Sequence, residues 1–244
     1  MTTTRDQVGA KAGEAPGRWT RSPPTITVVT VRGVPWWGVA SSAAAPVLMV
    51  AGWTVAAGLQ PSFDPVTDTV SALAAPGAAD RWVMTLTFVV VAACYFVTGL
   101  GLRPARLPGR LLLITAAVTG VLVAAYPLRP GTTLPVPHMI WGAAGCLALV
   151  TWPAGAWRRG TSVPWGLRPA VSAGVVAVLL VLLAWFATEL ITGGGQAGLA
   201  ERVFGAAQAL WPLTVVVSCC YAARAGTRLS PAPSPNRADA RRAS

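Results

Sequence analysis

Charge is scarce in this chain, and most of it has one sign. Asp, Glu, Lys and Arg make up only 11% of the 244 residues, where a soluble domain carries about 25%. A water-facing surface cannot be built from so few charges, and a mean hydropathy of +0.57 points instead to a polytopic membrane protein. Histidine occurs once, as His138, which excludes a zinc centre built on three histidines. The four cysteines, Cys94, Cys146, Cys219 and Cys220, all fall inside apolar runs. They offer neither a disulfide framework nor a zinc-ligand spacing and read as small buried apolar residues. No run alternates over about ten residues, as a membrane barrel strand must. The net charge of +11 would suggest nucleic acid in a soluble chain. Here the charge lies between and outside the apolar runs, so no nucleic acid partner is expected, and no cofactor or metal.

What is present is a set of six long apolar runs, each close to the roughly 20 residues that a spanning helix needs. They cover about 36–59, 82–102, 110–127, 138–157, 169–191 and 203–223. The fold class expected is all-α, a polytopic transmembrane bundle of six helices. Small residues recur in the runs (Gly52, Gly99, Gly142, Gly145 and Gly205), where they let helices approach closely. Trp36, Trp37, Trp82, Trp157 and Trp165 stand near run ends, as an interfacial belt requires. Trp185 and Trp211 lie deeper and are expected to pack. The two halves of the chain show no self-similarity.

Orientation follows from the arginines. With the N-terminus in the cytoplasm, sixteen of the nineteen basic residues fall on inner segments, leaving only Arg81, Arg129 and Arg202 outside. Asp64, Asp68, Asp80, Glu189 and Glu201 take the outer side. Both termini are then cytoplasmic, and the compartment expected is the bacterial cytoplasmic membrane. Residues 1–35 and 224–244 are polar and Pro- or Arg-rich; they are expected to be disordered basic tails, able to lie against anionic headgroups. No cleavable signal peptide is expected, and the stretch TITVVTV at 25–31 has no assigned place.

One segment stands out between the first two runs: DPVTDTVSALAAPGAADRW, residues 64–82. Asp64 before Pro65 is a strong helix start, because Asp accepts free first-turn amides and proline at the first position loses nothing. A short interfacial helix near 65–75 is predicted on the outer side, with Val66, Val70 and Leu73 as its apolar stripe and Thr67, Asp68 and Ser71 on another face. Asp80 is expected to cap the second spanning helix. The alternating oxygen ligands and central glycine of a calcium loop are missing. Helix capping leaves Asp68 and Ser71 unexplained. His138, which opens the fourth helix, and Glu189, about one turn below the outer end of the fifth, could join them. An acid at the bilayer centre costs about 2.5–3.5 kcal/mol, less near the interface, so Glu189 is a functional candidate.

The order of DPVTDTVSALAAPGAADRWVMTLTF, the basic turn RPARLPGR, and a fourth helix opening HMIWGAAG and ending VTWP resembles the bacterial six-helix membrane proteins catalogued as domain of unknown function 998. The likeness covers about residues 36–223. It implies an integral membrane protein without an assigned activity, and directs interest to Asp64, Asp68, Ser71 and His138.

Three functions follow as expectations. The first is binding of a lipid headgroup or a membrane partner, another protein or a second copy, at an outer polar pocket of Asp64, Asp68, Ser71, Arg81, His138 and Glu189. The second is a metal-free lipid hydrolase using His138 with Ser71 or water and Asp68, although no G-x-S-x-G elbow surrounds Ser71. The third, a small transporter, lacks ionisable residues at mid-depth.

Overall fold

The computed structural model describes residues 33–128 and 136–228. Residues 1–32 with the 25–31 stretch, 129–135 with Arg129, and 229–244 lie outside the described residues, and the start of the expected C-terminal tail is helix instead, since α6 runs on to Arg228. Six helices carry the architecture: α1 Trp36–Gly58, α2 Trp82–Gly101, α3 Leu107–Ala125, α4 Val136–Ala156, α5 Pro169–Thr192 and α6 Ala197–Arg228. Each is long and apolar enough to cross a membrane. Helix is the form these runs must take where water is absent, because it satisfies every backbone polar group within the segment. Prolines at 46, 153 and 212 sit inside α1, α4 and α6 without ending them, which neighbouring helices make tolerable.

Each helix packs on its chain neighbours, and α6 also packs on α1 to close the bundle. Close approaches fix the pairs. A Cβ on Gly109 of α3 would stand 2.5 Å from the backbone of Ala156 in α4, so only glycine fits there. Gly99 likewise faces Arg110 and Leu113, and Gly145 faces Thr119, whereas Gly142 faces open space. The α5 helix is the loosest member, burying only Ser172 and Leu179. Large side chains point outward all round, among them Ile191 at 84% and Val181 at 68% exposure. That surface suits hydrocarbon, since soluble monomers rarely show apolar patches of such extent.

The bundle has two chemically different ends. One carries Arg103, Arg106, Arg110, Arg158, Arg159, Arg168 and Arg224; the other carries every acid among the described residues, with Arg81 and Arg202. The core divides similarly. Trp152, Leu102, Leu113, Leu167, Val215 and Val216 pack together toward the arginine end. Trp53, Met84, Val70 and Leu73 pack at the acid end. Trp211 makes an edge-on contact with Trp165, centroids 6.4 Å apart, as expected of a deeper packing residue. Cys94 and Cys219 are buried and all four thiols are free.

Three expectations need correction. The α6 helix starts at Ala197, six residues before the predicted 203, so Glu201 and Arg202 are helical rather than in a loop. The predicted helix near 65–75 is two pieces, a single α-turn closed by Asp68 N–H donating to Asp64 O (2.8 Å) and a 3-10 helix at Val70–Ala74. It breaks because the α-turn's carbonyls and the next amides are drawn to different groups on α6. Asp80 does not cap α2: its φ is 46°, and its carboxylate accepts the Trp82 indole N–H at 3.1 Å. The cap position falls to Arg81, without a side-chain bond, and the Asp80 carbonyl instead accepts Val83 N–H. Smaller shifts bring α3 forward to 107 and α4 to 136.

Candidate functional site

The acid end is organised by the chain between α1 and α2. Gln60 closes it as a loop: its Nε2 donates to Ala79 O at 2.6 Å and its Oε1 accepts Ala79 N–H at 3.0 Å. Within the loop Asp64 acts as the expected cap, Oδ1 accepting Val66 N–H at 2.8 Å. Asp68 reaches back one turn, Oδ2 accepting Asp64 N–H at 2.9 Å. The two carboxylates therefore brace one α-turn reciprocally, in the manner of a capping box. Asp64 Oδ2 and Asp68 Oδ1 have no partner among the described residues.

The turn docks on the start of α6. Leu199 N–H, an amide with no partner inside its own helix, donates to Val66 O at 2.9 Å. Arg202 Nη1 donates to Pro65 O (2.7 Å), Asp68 O (3.0 Å) and Gly198 O (2.9 Å). A guanidinium suits this position because the final carbonyls of a helical turn carry partial negative charge. Its Cζ also lies 5.3 Å from the centroid of the Phe63 ring, while Nη2 is buried without a partner. The fit is close: a Cβ on Gly198 would run into Asp68 O.

The 3-10 helix is held by the neighbouring side chain. Glu201 Oε2 accepts Val70 N–H at 2.5 Å, and Oε1 accepts Ser71 Oγ–H at 3.1 Å. Thr69 supplies no cap of its own, so Glu201 does that work from another helix. Val70 and Leu73 then bury on Trp53, Ala56 and Met84, whereas Val66, the third member of the predicted stripe, is 41% exposed.

Of the residues singled out in the sequence, Asp64, Asp68 and Ser71 are thus brought together, with Glu201 and Arg202 as the unforeseen centre. Glu189 serves the next connection: Oε2 accepts Gln196 N–H at 3.0 Å, and its carbonyl accepts Gly194 N–H at 2.9 Å. His138 Nδ1 pairs with Tyr126 O at 2.9 Å, joining the ends of α3 and α4. Neither bonds to Ser71 or Asp68. The Arg81 guanidinium is exposed and has no partner among the described residues. No Ser–His or Asp–His hydrogen bond occurs among the described residues.

Glu201 and Arg202 read from the sequence only as outer-side charges, because they stand just before the apolar run beginning at 203. A signal was nevertheless available. Ala197, Ala200, Phe204 and Gln208 recur at helical spacing and are all buried, so one packed face extends back past both charges. Gln208 was also overlooked as a deep polar group; its Nε2 donates to Cys146 O at 3.3 Å.

No curated protein and no solved structure matches the chain. A six-helix apolar bundle with its charges sorted to opposite ends is what the family comparison also indicates: residues 43–218 match the protein family of unknown function DUF998, and the chain belongs to that family.

Proposed function

We propose that this multi-pass membrane protein lies in the bacterial cytoplasmic membrane with both termini inside, and binds at its outer, acidic end. The segregation of arginines to one end supports the orientation, since cytoplasmic loops collect Arg and Lys. The observation that carries the binding reading is the Asp64–Asp68 pair. Backbone amides hold both carboxylates in place and leave Asp64 Oδ2 and Asp68 Oδ1 without a hydrogen bond among the described residues, with the Arg202 charge near both but its Nη1 donating to carbonyls. A rigid acidic pair at headgroup level suits a cationic group, either the amine of a zwitterionic lipid headgroup or a basic segment of a membrane partner.

No specific observation favours the hydrolase reading. Ser71 donates to Glu201, and His138 is engaged with Tyr126. Ser71 anchors the loop.

The test is lipid and protein co-purification with wild type and D64N/D68N, compared by mass spectrometry. Loss of a phosphatidylethanolamine or protein adduct in the variant is expected. An unchanged profile refutes the binding reading. Labelling of single cysteines introduced at Thr67 and at Thr161 from outside intact cells tests orientation: Thr67→Cys reacts and Thr161→Cys does not.

A further inference from the structure

The opposite end of the bundle carries a second arrangement, and it stands independently of the acidic-end reading. Two backbone hydrogen bonds fasten its loops together. Arg106 N–H donates to Ala156 O at 3.1 Å, and Arg158 N–H donates to Leu167 O at 2.8 Å. The first bond sets the α2–α3 turn against the end of α4, two residues from Arg158. The second sets Arg158 beside the residue preceding Arg168. Gly109, pressed on Ala156, locks the same junction. Arg106, Arg158 and Arg168 are therefore held as neighbours from three separate stretches of chain. All three are exposed, and no carboxylate lies at this end among the described residues.

Two helices also start here with nothing negative to meet them. Arg106 and Arg168 occupy the cap positions of α3 and α5, without a side-chain cap bond and without an acid in either first turn. Cap positions ordinarily favour Ser, Thr, Asp or Asn. Arginine in both puts cationic side chains at the positive ends of two helix dipoles, which is unfavourable unless an anion is shared. The α5 amides of Ala170 and Val171 donate to no acceptor among the described residues. Ser172 Oγ, in that same first turn, is buried at 2% exposure with no partner. Arg159 stacks on Trp157 at 4.9 Å and Trp165 is 44% exposed, which places this end at headgroup depth, where Trp concentrates.

We infer that Arg106, Arg158 and Arg168, with the first turns of α3 and α5, form a binding site for the phosphate headgroup of an anionic phospholipid. Guanidinium groups bind phosphate oxygens in pairs, and basic pockets between membrane helices take such headgroups. Fixing the three arginines by backbone bonds removes part of the ordering cost of binding.

The test uses the full chain in detergent, titrated separately with phosphatidylglycerol, phosphatidylcholine and glycerol phosphate, with adducts read by native mass spectrometry. Wild type is expected to hold phosphatidylglycerol and not phosphatidylcholine. Each arginine removed should weaken phosphatidylglycerol binding roughly five-fold, so R106Q/R158Q/R168Q should lose on the order of a hundred-fold. A control removing three positive charges from the C-terminal tail, R237Q/R241Q/R242Q, should lose far less than the bundle triple variant, since charges outside the site add only diffuse attraction. Single variants R158Q and R168Q, at exposed positions, keep the test valid if the triple variant folds poorly. Unchanged affinity in these variants overturns the proposal, as does an equal loss in the tail variant. Displacement of the lipid by glycerol phosphate at comparable concentration would make the ligand a soluble anion and equally overturn it.

Discussion

Replacing Glu201 by alanine should release the 3-10 helix from α6 while leaving the bundle folded. Val70 is 3% exposed, so its N–H, bonded at 2.5 Å to Oε2, has no water to turn to. A buried donor left unsatisfied costs about 1–3 kcal/mol. Ser71 Oγ loses its 3.1 Å acceptor but is half-buried and can rotate toward solvent, a loss of about 0.5–1.5 kcal/mol. Together the change destabilises the closed segment by roughly 1.5–4.5 kcal/mol, or about ten-fold to about two-thousand-fold in its opening equilibrium. Hydrogen exchange of the peptide covering 64–75, with the protein in nanodiscs, reads this opening directly, because local openings exchange without global unfolding. Peptides from α2 and α3 should keep their protection. Glu201→Gln retains one oxygen for Val70 N–H, and Ser71 can donate or accept, so its effect should be limited to the lost charge, about 1 kcal/mol. Acceleration of less than about three-fold in Glu201→Ala would mean that Val70 and Leu73 hold the segment by apolar burial alone, and the latch argument would be refuted.

Other perturbations act at separate points. Gly198→Val drives a side chain into the carbonyls of Asp68 and Pro65, so it should open the same peptide at least as far as Glu201→Ala, measured by the same exchange experiment. Arg110→Ala removes bonds from Nε to Gly99 O at 2.8 Å and from Nη2 to Leu100 O at 3.0 Å. It should lower thermal stability by about 1–3 kcal/mol, seen as a reduced melting temperature in detergent. Gly109→Val places new atoms within the α3–α4 contact and should sharply reduce the folded yield in a fluorescence-detected size-exclusion assay. His138→Ala loses one exposed bond to Tyr126 O and should change stability by less than about 1 kcal/mol, with no effect on exchange at 64–75.

The helices were legible because hydropathy and length decide what can cross a bilayer, and five of the six runs begin within three residues of the observed helix. The sixth failed for a physical reason. Hydropathy measures what lipid tolerates, whereas α6 extends beyond the apolar layer, and its first turns are shaped by packing on the α1–α2 loop. Asp64 was readable as a cap because capping is local in sequence. Asp80 was not, since its carboxylate met a nearer donor in Trp82, and its φ of 46° is left-handed where a helix cap is extended. The partners of Ser71 lie 130 residues away. Such a contact leaves no local trace, and only the buried face of Ala197, Ala200 and Phe204 hinted that the chain around Glu201 was ordered.

The length of α6 explains why a charged latch is tolerated in so apolar a molecule. Its 32 residues make a rod of about 48 Å, well beyond the hydrocarbon thickness of about 30 Å. Between Arg202 and Arg224 the helix carries no charged residue, and that interval spans about 33 Å at 1.5 Å per residue. The uncharged interval therefore matches the hydrocarbon, and both of its flanking charges fall at headgroup level. Glu201 and Arg202 then sit where an ionised group is far less costly than at the centre. The loop they hold lies over the end of the bundle, within reach of headgroups and water. Moving the pair two turns inward, by exchange with Gln208 and Ala209, would place it where the hydrocarbon can no longer accommodate it. Membrane insertion of α6 should then fall, whereas neutralising the pair in place should leave insertion intact and release only the loop. Equal insertion defects in both variants would show that the pair already lies in hydrocarbon.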